Sequence, residues 1–116
     1  MFRFEDLDVW KKSATLVVEI YKEFGELNDF GFKNQITRAG LSISSNIAEG
    51  YERESRKEIA NFLNYAKGSA GELRSQIYIG MKIGYIKTSK GKAWIIEAER
   101  ISKMLHSLIT KFKTHK

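Results

Sequence analysis

From the first residues the apolar positions recur with a helical period rather than a strand period. Leu7, Trp10, Ala14, Val17, Tyr21 and Phe24 fall at heptad spacing, which places them on one stripe of a helix over about Asp6 to Phe24. Val9, Leu16, Val18 and Ile20 add flanking stripes, and the polar remainder narrows to Asp8, Lys12, Thr15, Glu19 and Lys22. A helix that packs in a bundle needs only about 100° of apolar face. Here more than half of the circumference is apolar. That predicts self-association through the first helix; deeper burial within one bundle is the alternative.

Gly25 to Gly31, with Asn28-Asp29 between, reads as a turn. A second helix follows over about Phe32 to Glu52, with Ile36, Ala39, Ile43 and Ile47 facing inward. Its run of Thr37, Gly40, Ser42, Ser44, Ser45 and Asn46 is poor in strong helix formers. Small and polar residues in mid-helix point to close packing or a hydrogen-bonded seam. Ser55-Arg-Lys-Glu58 has capping-box spacing and opens a third helix. Ile59, Leu63, Ala66, Ala70, Leu73, Ile77 and Gly84 carry it to about Tyr85. Thr88 to Gly91 is a turn, in which Thr88 or Ser89 can cap a fourth helix. Trp94, Ala98, Ile101, Leu105, Leu108 and Phe112 form that helix's core stripe. Short connections make sequential neighbours antiparallel. The expected fold is all-α, an antiparallel up-down four-helix bundle in a single domain over residues 1–116.

Composition agrees. There is no proline to break a helix and no cysteine for disulfides or thiolate metal sites. Apolar runs are two to three residues long, so nothing spans a membrane, and the amino terminus has no signal-peptide design. A cytoplasmic, soluble protein is expected. The net charge of +6 is unevenly placed: residues 82–116 hold nine Lys or Arg against two Glu, and residues 1–81 hold eleven against twelve acids. Such asymmetry suits a polyanion, RNA or DNA; a solvated lysine-rich face is the alternative, and composition alone does not separate the two.

The search for chemistry excludes more than it finds. Di-iron bundles need Glu-x-x-His pairs, and His106 and His115 are preceded at that spacing by Lys103 and Phe112. No metal site and no cofactor is expected. Gly68-Ser-Ala-Gly71 lacks the strand and the Lys of a phosphate loop, and reads as small residues that let a neighbouring helix approach; Gly80 and Gly84 read likewise. Ser42, Ser44 and Ser45 have no histidine near them in sequence to act as a base. Arg100 and His106 have the Arg-x5-His spacing of HEPN-type ribonucleases, but six residues along a helix leave the two side chains about 120° apart. No enzyme is expected. Candidate phosphate contacts are Arg53, Arg56 and Lys57 at the second turn and Lys87, Lys90 and Lys92 at the third, which an up-down bundle puts at opposite ends. Lys103, Lys111 and Lys113 extend the charge along the fourth helix. Aromatics are not interleaved with these cations, so binding would be led by the backbone and weakly selective for sequence.

Phe4-x-x-Leu7-x-Val9-Trp10, Gln35-Ile-x-Arg38-Ala39, Ser42-Ile-x-Ser-Asn-Ile-Ala-Glu-Gly50, Gly68-Ser-x-x-Glu72-Leu73 and Gly84-Tyr85-Ile86 together form a pattern that spans nearly the whole chain. It resembles the four-helix proteins of 23S ribosomal RNA intervening sequences. Ser44 stands where that family often has Pro, and the first turn lacks the family's Pro. The resemblance implies a protomer of a ring-like homopentamer, related to the basic pentameric accessory proteins of diversity-generating retroelements that associate with nucleic acid. It implies no catalytic residues. Gln35, Arg38, Ser42, Asn46, Glu49 and Glu72 are the polar residues within its motifs; they form either a shared polar site or a buried network that holds the second helix to the third. The expected function is a noncatalytic, homo-oligomeric scaffold for RNA or DNA. A module that docks a partner protein is the alternative, and a HEPN-like ribonuclease a remote one.

Overall fold

A computed structural model describes residues 3–114, and His115 lies outside them together with the first two residues. After a short 3-10 turn at Phe4–Asp6 come four helices: α1, Asp8–Glu23; α2, Phe30–Tyr51; α3, Arg56–Ile83; and α4, Thr88–Thr114. The starts of α2 and α3 have side-chain caps, and α4 begins at Thr88, so the Thr88–Gly91 stretch expected as a turn is its first turn. The Asp29 carboxylate accepts from the Phe32 backbone N–H at 3.1 Å, so α2 begins two residues earlier than its apolar pattern suggests. Ser55 Oγ accepts from the Glu58 N–H at 2.9 Å and caps α3. Gly84, at φ 96°, adopts the left-handed conformation that ends α3, with its N–H on the Gly80 and Met81 carbonyls. Gly84 is therefore a helix stop, not a packing position.

Contacts between helices run in opposite senses. Ser42 meets Ser69 and Arg56 meets Phe112, whereas Arg74 reaches Glu99 further back along α4. Glu23 meets Lys90 and Lys12 meets Glu97. Sequential helices are antiparallel, and α4 closes against α1 in a bundle 48 × 21 × 19 Å. One core runs its length, from Ile36, Ile43 and Ile47 of α2, through Leu63, Ala66, Ala70, Leu73 and Ile77 of α3, to Trp94, Ala98, Ile101 and Leu105 of α4.

The α1 stripe is rotated from its expected position. Val17 and Phe24 of the expected stripe are buried, but Val9, Ser13, Leu16 and Ile20 are buried with them, while Leu7, Trp10 and Ala14 are only half-buried and Tyr21 is 48% exposed. On a helix apolar around most of its circumference, several adjacent stripes satisfy the same period. The positions of α2 and α4 then decide which is covered. Ser13 can occupy the core line because its hydroxyl donates to the Trp10 carbonyl at 2.8 Å.

Glycines mark where backbones meet. A Cβ on Gly40 would stand 3.0 Å from Val17 Cγ2, and one on Gly50 would stand 2.9 Å from Phe62 Cβ. Gly80 and Gly91 are more crowded, against Ile86, Phe32 and Met81. Gly68 and Gly71 differ from the sequence expectation: nothing lies within 4 Å of either missing Cβ. Neither missing Cβ faces a neighbouring helix, so these two glycines are not a packing site. Among the described residues no helix is long and apolar enough to cross a membrane.

Candidate nucleic-acid interface

The candidate cations fall into three groups. Arg53, Arg56 and Lys57 lie where α2 turns into α3, and the carboxyl end of α4 arrives at the same end of the bundle. Arg56 fixes that meeting. Its Nη2 donates to the Lys111 carbonyl at 2.7 Å, its Nε to the Phe112 carbonyl at 3.3 Å, and its guanidinium stacks over the Phe112 ring. These are carbonyls that the last turn of a helix leaves without a partner. Arg56 is thus tied to α4 as its cap. Arg53 is similarly engaged, on the Glu49 carboxylate at 2.8 Å and over the Phe62 ring. Lys57 and Lys113 border one depression, with Phe112 and Asn61 on its walls, and Lys111 stands two residues before Lys113. Lys57, Lys111 and Lys113 carry no ion pair among the described residues, so their charge faces solvent.

The opposite end holds Lys87, Lys90 and Lys92, all exposed. Lys90 is neutralised by Glu23 of α1 at 3.0 Å. Trp94 Nε1 donates to Glu19 at 3.1 Å in the same α1–α4 seam. This end is also stitched by Asp29, which accepts from the Tyr85 hydroxyl at 2.8 Å. The Phe32 N–H and the Tyr85 hydroxyl hold the Asp29 carboxyl below its ordinary value, and the hydrogen bond to Asp29 raises that of Tyr85.

Lys103 belongs to neither end. It lines the outer groove between α3 and α4, with Lys67, Ser102, His106 and Ser107. Sequence reasoning misses Lys67 because it is an isolated cation among small residues. The signal that could have found it is the antiparallel pairing of α3 with α4, which sets it opposite His106. Arg100 and His106 lie on opposite flanks of α4. Arg100 binds Glu97, which also meets Lys12 of α1, whereas His106 meets Lys67 of α3. The two do not converge on a common substrate position.

The polar motif residues divide. Gln35, Arg38, Ser42, Asn46 and Glu49 recur at intervals of three and four along the α2 stripe that borders α3. Ser42 and Asn46 are half-buried: Ser42 Oγ lies 2.9 Å from Ser69 Oγ, and Asn46 Nδ2 donates to the Ser42 carbonyl and hydroxyl. Gln35, Arg38, Glu49 and Glu72 are exposed. Ser44 is buried and donates to the Leu41 carbonyl. Among the described residues no group of three or more acids and histidines could hold a metal ion.

The described residues define an all-α four-helix bundle that exposes lysines at both ends. The particular family follows from comparison. The chain belongs to the 23S rRNA-intervening sequence protein family, whose model matches residues 5–107. It is similar to the crystal structure of a protein of unknown function from the S23 ribosomal protein family of Bacteroides thetaiotaomicron. That likeness has a TM-score of 0.82 at 31% identity and covers 87% of this chain and 97% of the other. No curated protein matches.

Proposed function

We propose that this protein is a noncatalytic, homo-oligomeric scaffold that binds RNA or DNA through backbone phosphates. The observation that carries the reading is the depression that Lys57 and Lys113 border at one end of the bundle, with Lys111 two residues before Lys113 and none of the three in an ion pair among the described residues. Clustered lysines without acidic partners gain by displacing the counterions of a polyanion. Assembly is supported by the outer face of α1, where Val18 and Tyr21 stay about half exposed, with Leu41 of α2 also uncovered. An enzyme is disfavoured by the separation of Arg100 from His106.

Fluorescence anisotropy with a structured RNA and with duplex DNA, across a salt series, tests the binding. Affinity should fall steeply with salt. The triple variant Lys57→Ala, Lys111→Ala, Lys113→Ala should lower the log–log salt slope by about 0.9 for each phosphate it no longer neutralises. Absence of binding to either polymer at low ionic strength would remove the reading. The protein-docking alternative predicts instead a partner that survives nuclease treatment in a pull-down.

A further inference from the structure

The groove between α3 and α4 is built almost entirely of donors. Lys67 Nζ stands 3.2 Å from His106 Nδ1. An ammonium group has no lone pair to accept with, so Lys67 donates and Nδ1 accepts. The neutral ring then carries its proton on Nε2, which is left as a further donor. Lys103 lies one turn back along α4, and Ser102 and Ser107 complete the lining. None of these five residues is an acid. Glu99, the nearest α4 carboxylate on this flank, is engaged by Arg74 at 3.7 Å. Two ammonium groups and an imidazole N–H, with hydroxyls that can donate or accept, suit a tetrahedral oxyanion.

We propose that Lys67, Lys103 and His106 hold one phosphate group in the α3–α4 groove. The source favoured rests on the function proposed above: a phosphodiester of a nucleic-acid strand that reaches the groove from the Lys57 and Lys113 end. Both sets of residues border the same helix pair, and along α3 only Asn64 and its neighbours separate Asn61 of the one from Lys67 of the other.

The test uses the full chain and follows the His106 imidazole nitrogens by NMR during titration. The probes are inorganic phosphate, a short single-stranded oligonucleotide without terminal phosphates, and sodium chloride at matched ionic strength. The oligonucleotide should shift the His106 resonances saturably, and chloride should not. The double variant Lys67→Gln, Lys103→Gln should abolish that shift and weaken oligonucleotide binding roughly tenfold, as expected when charge-assisted hydrogen bonds are removed. Lys22→Gln, on α1, should leave the shift intact; thermal melts confirm that each variant is folded. If the oligonucleotide binds while His106 stays fixed and the double variant binds as tightly as the parent, the groove site is overturned and the scaffold reading stands. If inorganic phosphate alone moves His106 saturably and no oligonucleotide binds, the site stands as one for free phosphate and the nucleic-acid reading falls. If neither probe moves His106, the site is refuted.

Discussion

Asp29 does two things with one carboxylate: it caps α2 and it receives the Tyr85 hydroxyl across the bundle end. Both bonds favour the ionised acid, so its folded value lies below the ordinary 3.8. The stabilisation is therefore complete above that ordinary value and is lost as the pH falls through the lower, folded one. Asp29→Ala should melt below the parent at neutral pH, and the difference should close in strong acid; thermal melts across a pH series check this. The glycines offer a sharper contrast. Gly68→Ala and Gly71→Ala enter open space and should each stabilise by about 1 kcal/mol, the ordinary helix advantage of Ala. Gly80→Ala and Gly91→Ala meet Ile86, Phe32 or Met81 and should destabilise; denaturant titration separates the pairs. Composition alone could not rank these residues. Gly68, Gly71 and Gly80 lie within one helical pattern and Gly91 in a stretch that reads as a turn, and only the neighbouring chain distinguishes crowding from vacancy.

At the scale of elements, Arg56 shows how one side chain sets a helix end. Its bonds to the Lys111 and Phe112 carbonyls join the start of α3 to the close of α4. Arg56→Ala should raise amide exchange in the last turn of α4 and at the head of α3, leaving mid-bundle protection unchanged, as hydrogen–deuterium exchange would record. The four helices themselves are legible from periodicity, and the inward stripe of α2 is the one its period predicts, at Ile36, Ala39, Ile43 and Ile47. The facing of α1 is not legible. Its pattern admits more than one covered stripe, and burial of Val9, Leu16 and Ile20 over Tyr21 is settled by where α2 and α4 stand. The groove residues are hidden for a related reason. Lys67 and His106 are 39 positions apart, and their pairing depends on the register of two antiparallel helices, which spacing within either one does not encode.

Over the whole molecule, large apolar side chains stay about half exposed on all four helices, among them Val18 and Tyr21 of α1, Leu41 of α2, Ile79 and Ile83 of α3 and Ile96 of α4. The α3–α4 groove, lined by Lys67 and Lys103, lies away from α1. An assembly that covers Val18 and Tyr21 would leave those groove lysines facing solvent, as a scaffold for a polyanion requires. The double variant Val18→Asp, Tyr21→Asp replaces side chains already half in water, so the protomer should stay helical while its assembly weakens. Light scattering on the purified parent, before and after nuclease treatment, tests the central claim most directly. The account predicts a particle several times the 13.4 kDa chain mass, with nucleic acid removed by nuclease and the assembly retained. A particle of single-chain mass that carries no nucleic acid before treatment would contradict it.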